Sequence, residues 1–178
     1  MKNANTDKHF LLASRRALIF LLALLPVTVK AANVQADKLT DYIHSTYRIS
    51  EDKANAIVNN AIEHGNRHAL EPELILAIIA VESSYREKAV GPKGARGLMQ
   101  VMPPAHPKEV KQIGGPSALF NAEKNISTGS KILAKYMRKS NGNLRGALLR
   151  YNGSHPRSRS RYPDKVLRYY GKLKAVVS

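Results

Sequence analysis

The chain has 178 residues, enough for one globular domain, and its 43% apolar and 24% charged residues exclude a disordered polyampholyte. Lys and Arg number 29 against 13 Asp and Glu, a net charge of +16, so an extended partner is expected to be acidic. The absence of cysteine excludes a disulfide framework, a thiolate metal site and a cysteine nucleophile.

Residues 1–31 read as a secretory signal peptide. Lys2, Lys8, Arg15 and Arg16 form a basic stretch, Ala17–Leu25 a short apolar run, and Ala31 and Ala32 a small-residue cleavage site. The nine-residue run is too short to span a bilayer, which needs about 20 apolar residues. Cleavage after Ala31 would leave 147 residues at +12, with no membrane span.

Helical spacing dominates residues 32–178, so the fold class is mainly α. Residues 32–66 are expected to pack as an N-terminal helical segment on a larger helical domain over 67–178. Leu39, Tyr42, Ile43 and Tyr47 mark a first amphipathic helix. Ser50 is placed to cap a second, with Ala54, Ile57, Val58, Ala61 and Ile62 on one face. Pro72 suits the first turn of a third helix, which is apolar on every face through Val81 and therefore central and buried. Gly91 to Gly115 is rich in Gly and Pro and is expected to be irregular, with one apolar insert at Leu98–Met102. Asn121 caps the next predicted helix, a short one comes after it through Leu144 to Tyr151, and a polar loop over 152–161 leads to a last helix opened by Pro163.

Glu82 breaks the pattern at the end of the apolar helix. A carboxylate beside an apolar surface and at the negative end of a helix dipole has its charged form disfavoured, so its pKa should rise. That is the property a general acid needs near neutral pH. The other reading of its position is a side chain that faces water where the helix emerges.

The run from Glu82-Ser83-Ser84-Tyr85 through Gly97-Leu98-Met99-Gln100-Val101-Met102-Pro103 resembles the signature of the soluble lytic transglycosylase catalytic domain, of the lysozyme-like superfamily. Asn125-Ile126 with Gly129, Tyr151-Asn152 and Tyr162-Pro163 come next in the family's order, so the resemblance covers about residues 67–170. It implies a single lysozyme-like helical domain in which Glu82 is the catalytic acid/base. Ser83 holds the acid's helix against the facing loop, and Gln100 and Met102 line sugar subsites. Tyr151 hydrogen-bonds the acid, Asn152 supports the same loop, and Asn125 belongs to the substrate-binding set. One departure falls at Gly91, where the family usually carries a serine near the substrate's N-acetyl group. Either Ser84 or a backbone N–H is expected to substitute, or the step to be slower.

Without the resemblance, Met99 and Met102 read as core and Tyr151 as a packed aromatic. His64 and His68 lie four residues apart but lack a third ligand, so no metal or other cofactor is expected. The carboxylates bear on mechanism too. Ordinary glycosidases flank the scissile bond with two. Here no Asp lies between Asp52 and Asp164, and Glu87, Glu109 and Glu123 show no buried, convergent setting beside Glu82.

The resemblance implies cleavage of the β-1,4 bond of peptidoglycan glycan strands with formation of 1,6-anhydro-N-acetylmuramyl ends, and the lack of an evident second carboxylate is consistent with it. The resemblance extends to small monomeric exported enzymes, periplasmic or secreted, that open the wall for a secretion, conjugation or pilus apparatus. A hydrolytic muramidase and a weakly active wall-binding component remain as alternatives. Nucleic acid is not expected as partner, because export and the absence of a DNA-reading motif oppose it.

Overall fold

The computed structural model describes residues 33–155 and 157–178, so the expected signal peptide lies outside the described residues. Residues 33–37 fall in a first compact unit and are helical; Lys38–Ser178 form a second.

In the second unit, residues 38–47 form α1, with Leu39 and Ile43 fully buried. Helix α2 (Glu51–His68) begins after Ser50, whose carbonyl takes the N–H of Ala54 while its hydroxyl makes no capping bond. Its buried face carries Ala54, Ile57, Val58 and Ala61, as the spacing predicts. Helix α3 (Pro72–Glu82) starts on Pro72 and is buried from Glu73 to Ala80. This is the central helix. The segment read as irregular holds 3₁₀ turns and a short helix, α4 (Pro107–Gln112), whose six residues are too few to show a helical period in the sequence. Helix α5 (Ala122–Lys139) is capped by Asn121, whose Oδ1 accepts the Lys124 N–H at 3.0 Å. Helices α6 (Leu144–Tyr151) and α7 (Tyr162–Val177) complete the unit. Among the described residues there is no strand, only isolated bridges pairing Arg96 with Val90 and Val101, and no helix long and apolar enough to cross a membrane.

Packing explains where the central helix ends. Helix α2 lies against α3 and α5, and α7 lies along α3. Contacts at both ends show that α3 and α7 run antiparallel. Glu71, just before α3, pairs with Lys174 near the end of α7 at 2.7 Å, and Glu82 at the end of α3 meets Tyr162 at the start of α7. Beyond Glu82 the chain reverses through Ser84 and Tyr85, at φ 50° and 63°. Left-handed backbone at two successive non-glycine residues is costly and must be held by its surroundings. Tyr85 is the anchor: it is buried, its hydroxyl donates to the Leu76 carbonyl of α3 at 3.1 Å, and its ring lies 4.4 Å from that of Tyr47.

Candidate active site

Helix α3 delivers Glu82 half-buried to the point where α7 begins. The Tyr162 hydroxyl donates to its Oε1 at 2.6 Å. Burial raises the Glu82 pKa, and the Tyr162 hydrogen bond, which favours the carboxylate, partly offsets the rise. Tyr162 and Tyr151 are themselves pushed far up, first by burial and then by the charge of Glu82, so both phenols stay protonated and can donate. No second carboxylate contributes to the Glu82 shift. Glu109 is held by Lys135 at 3.3 Å instead.

The sign of these effects gives a first prediction. Tyr162→Phe removes the bond that favours the carboxylate, so the Glu82 pKa should rise further, read by NMR titration of the side-chain carboxyl. An unchanged or lowered value would mean that Tyr162 does not govern the acid. Because folding raises the Glu82 pKa, the associated stability is present below the unfolded pKa and is lost as pH rises through the folded one.

The hydroxyl on the acid is thus that of Tyr162, not of Tyr151 as the sequence reading expected. Tyr151 donates instead to the Met99 carbonyl at 2.9 Å, tying α6 to the loop that carries Gln100. The two tyrosines bound the polar loop 152–161. Sequence order alone does not say which of them turns toward α3. The antiparallel pairing of α3 and α7 decides it. Asn152 braces this loop through Ser154 and Ser160, at 3.0 and 3.4 Å.

Two other residues of the expected substrate-binding set are buried. Ser83 is 1% exposed, and its hydroxyl donates to the Ile79 carbonyl of its own helix at 3.1 Å rather than to the facing loop. Asn125 is 0% exposed. Its Nδ2 donates to the carbonyls of Arg96 and Leu119, at 2.9 and 2.8 Å, and its Oδ1 accepts the Met99 N–H at 2.7 Å. A side chain spent in this way on the backbone holds the loop and has no surface to offer a ligand. Gly97 makes that approach possible, since a Cβ there would meet the Asn125 amide and the Leu119 carbonyl, each at 2.2 Å.

Gln100 and Met102 are half-exposed, whereas Met99 is core. Gln100 adopts left-handed backbone at φ 47°, and its Nε2 donates to the carbonyls of Ala89 and Gly97 at 3.2 and 2.9 Å. These two bonds fix the amide, so Oε1 points away from both carbonyls. A Cβ on Gly91 would lie 2.1 Å from that oxygen. The carboxamide of Gln100 therefore fills the space a side chain at 91 would enter. The Gly91 N–H is itself spent on the Ala95 carbonyl at 2.9 Å. Ser84 remains exposed at the turn after the acid.

The arrangement can hold a proton on a half-buried carboxyl, steer that carboxyl with a phenol, and present an amide oxygen on the neighbouring loop. Comparison with known proteins bears on the family and the fold. A family model described as the transglycosylase SLT domain matches residues 59–163. Membrane-bound lytic murein transglycosylase C of Edwardsiella ictaluri (strain 93-146) is 34% identical over 54% of this chain and 31% of its own length. The protein of the same name from Yersinia pestis (strain Pestoides F) is 39% identical over 38% of this chain and 21% of its own. The chain thus spans a third or less of the curated relatives it matches. Among solved structures, an inactive mutant of lytic transglycosylase Slt from Pseudomonas aeruginosa aligns with a TM-score of 0.51 at 22% identity, over 67% of this chain and 22% of that one. At that identity the likeness shows the fold.

Proposed function

Since this chain belongs to the transglycosylase SLT domain family, with its lysozyme-like helical fold, we propose that it is a peptidoglycan lytic transglycosylase with Glu82 as its sole acid and base. The observation that carries this reading is a half-buried glutamic acid with a raised pKa, bonded to one phenol, whose shift no second carboxylate among the described residues shares.

In this reading the Glu82 proton passes to the glycosidic oxygen between N-acetylmuramic acid and N-acetylglucosamine. The C1–O bond breaks and leaves a positively charged C1. The Glu82 carboxylate, held by Tyr162, then takes the proton of the same sugar's C6 hydroxyl, and O6 bonds to C1. The product is a 1,6-anhydro end, no water is consumed, and Glu82 is protonated again. Tethering the nucleophile to the reacting ring gives it a high effective concentration, which removes the need for a base that activates water. Gln100 and Met102, beside Gly91, would line the sugar subsites, with Tyr151 and Asn152 holding the loops around them. Asn125 and Ser83 would act only through the backbone they fix.

The net positive charge, +16 for the whole chain and +12 after the expected cleavage, supports an anionic wall polymer as partner, and a periplasmic place of action fits a murein substrate. Service to a secretion, conjugation or pilus apparatus rests on the resemblance to small enzymes of that kind alone. Digestion of purified sacculi in H₂¹⁸O tests the chemistry. The expected products are anhydro-muropeptides free of the heavy isotope, each one water lighter than its hydrolysed equivalent. Predominantly reducing, ¹⁸O-labelled products would replace this reading with the hydrolytic one.

A further inference from the structure

A separate concavity of about 450 Å³ opens where the turn between α5 and α6 faces the 152–161 loop. Arg145, Arg150 and Arg157 line it, with Ser140, Asn143 and Ser158, and its lining includes no carboxylate. Arg145 already grips one from the rim: its two terminal nitrogens contact the two oxygens of Asp164 at 2.5 and 3.4 Å. Arg150 spends Nε on the Ser140 hydroxyl at 3.3 Å, which leaves its terminal nitrogens to other partners. The guanidinium of Arg157 bonds no described side chain; only its backbone N–H is engaged, by His155. Three guanidinium groups against a single acid leave an excess of positive charge and unfilled planar forks, the geometry that suits carboxylates and phosphates.

This concavity is connected to the acid through the loop itself. Ser158 Oγ accepts the Ser160 N–H at 3.1 Å, and Ser160 Oγ accepts the Tyr162 N–H at 3.3 Å. Tyr162 then bonds Glu82. The wall of the arginine pocket and the acid's partner are consecutive parts of one hydrogen-bonded loop.

The geometry points to a second substrate-binding site: the Arg145–Arg150–Arg157 pocket takes a carboxylate of the peptide that hangs from the wall's sugars. The choice of that peptide rests on the proposed peptidoglycan substrate; the preference for an oxyanion rests on the arginines alone. Such a contact, remote from the scissile bond, would supply binding energy for peptide-bearing strands and none for bare glycan.

The test titrates the full chain with acidic stem peptide released from sacculi by an amidase, with the same peptide after its carboxylates are amidated, and with inorganic phosphate. Arg157→Gln is the main variant, since its side chain is exposed and its guanidinium bonds no described side chain. Lys108→Gln on α4 controls for overall charge. We expect the acidic peptide to bind, Arg157→Gln to weaken it about tenfold, the loss of one charge-assisted fork, and Lys108→Gln to change nothing. The amidated peptide should bind no more than weakly, and phosphate less well than the peptide. Arg157→Gln should also slow cleavage of peptide-bearing strands about tenfold and leave peptide-free strands unaffected. Equal binding of the amidated peptide, tighter binding of phosphate, or equal losses in both variants would overturn the site. If the peptide titrates as expected but neither glycan is cut, the pocket stands and the enzymatic reading falls. If both glycans are cut and the peptide does not bind, the reverse holds.

Discussion

Replacing Glu82 by Gln should leave a folded protein whose cutting of sacculi is reduced by about 10²–10⁴-fold, the usual contribution of general acid catalysis. The amide is close to isosteric with the protonated acid and keeps an oxygen that can accept the Tyr162 hydroxyl, so the junction of α3 and α7 should persist. What it lacks is the transferable proton, and among the described residues no second carboxylate bears on Glu82 to substitute for it. The variant should be no less stable than the parent near neutral pH, because a neutral amide escapes the burial cost that raises the Glu82 pKa. The measurement is turbidity loss of a sacculus suspension beside a thermal melt. Residual activity above a tenth of the parent's, in a folded variant, would remove Glu82 from the acid's role.

Asn125→Leu should lower stability by about 3 kcal/mol or more without touching the acid. Three hydrogen bonds disappear at a fully buried position, and the Met99 N–H and Leu119 carbonyl are left facing an apolar side chain. Each buried polar group without a partner costs about 1–3 kcal/mol. In a chain of this size that should lower Tm by roughly 6–12 °C. A variant that melts within about 2 °C of the parent yet fails to bind glycan would return Asn125 to the ligand-contacting set, where the family pattern alone had put it.

The central helix was legible because a run of apolar residues around the whole helix circumference leaves no solvent face. Glu82 stood out against that background, and Asn121 announced its cap by residue type. What the sequence could not show were pairings set by tertiary packing. Glu82 and Tyr162 are 80 residues apart and Glu71 and Lys174 are 103 apart, and only the antiparallel seating of α7 on α3 brings each pair together. Tyr85 was hidden for a similar reason. Its anchoring role depends on a left-handed turn that no residue at 84 or 85 advertises. Asn125 looked like a site residue because a polar side chain in a matching motif gives no sign of whether it faces a ligand or a backbone.

The interlock of Gly91 with Gln100 couples the two positions. A serine introduced at 91 meets the end of a flexible side chain rather than backbone, so the chain can accept it, but only by evicting the Gln100 carboxamide from the carbonyls of Ala89 and Gly97. The two positions are therefore epistatic. A hydroxyl at 91 requires a new seat for the Gln100 amide, so Gly91→Ser and a substitution of Gln100 should not have additive effects on the stability of the loop.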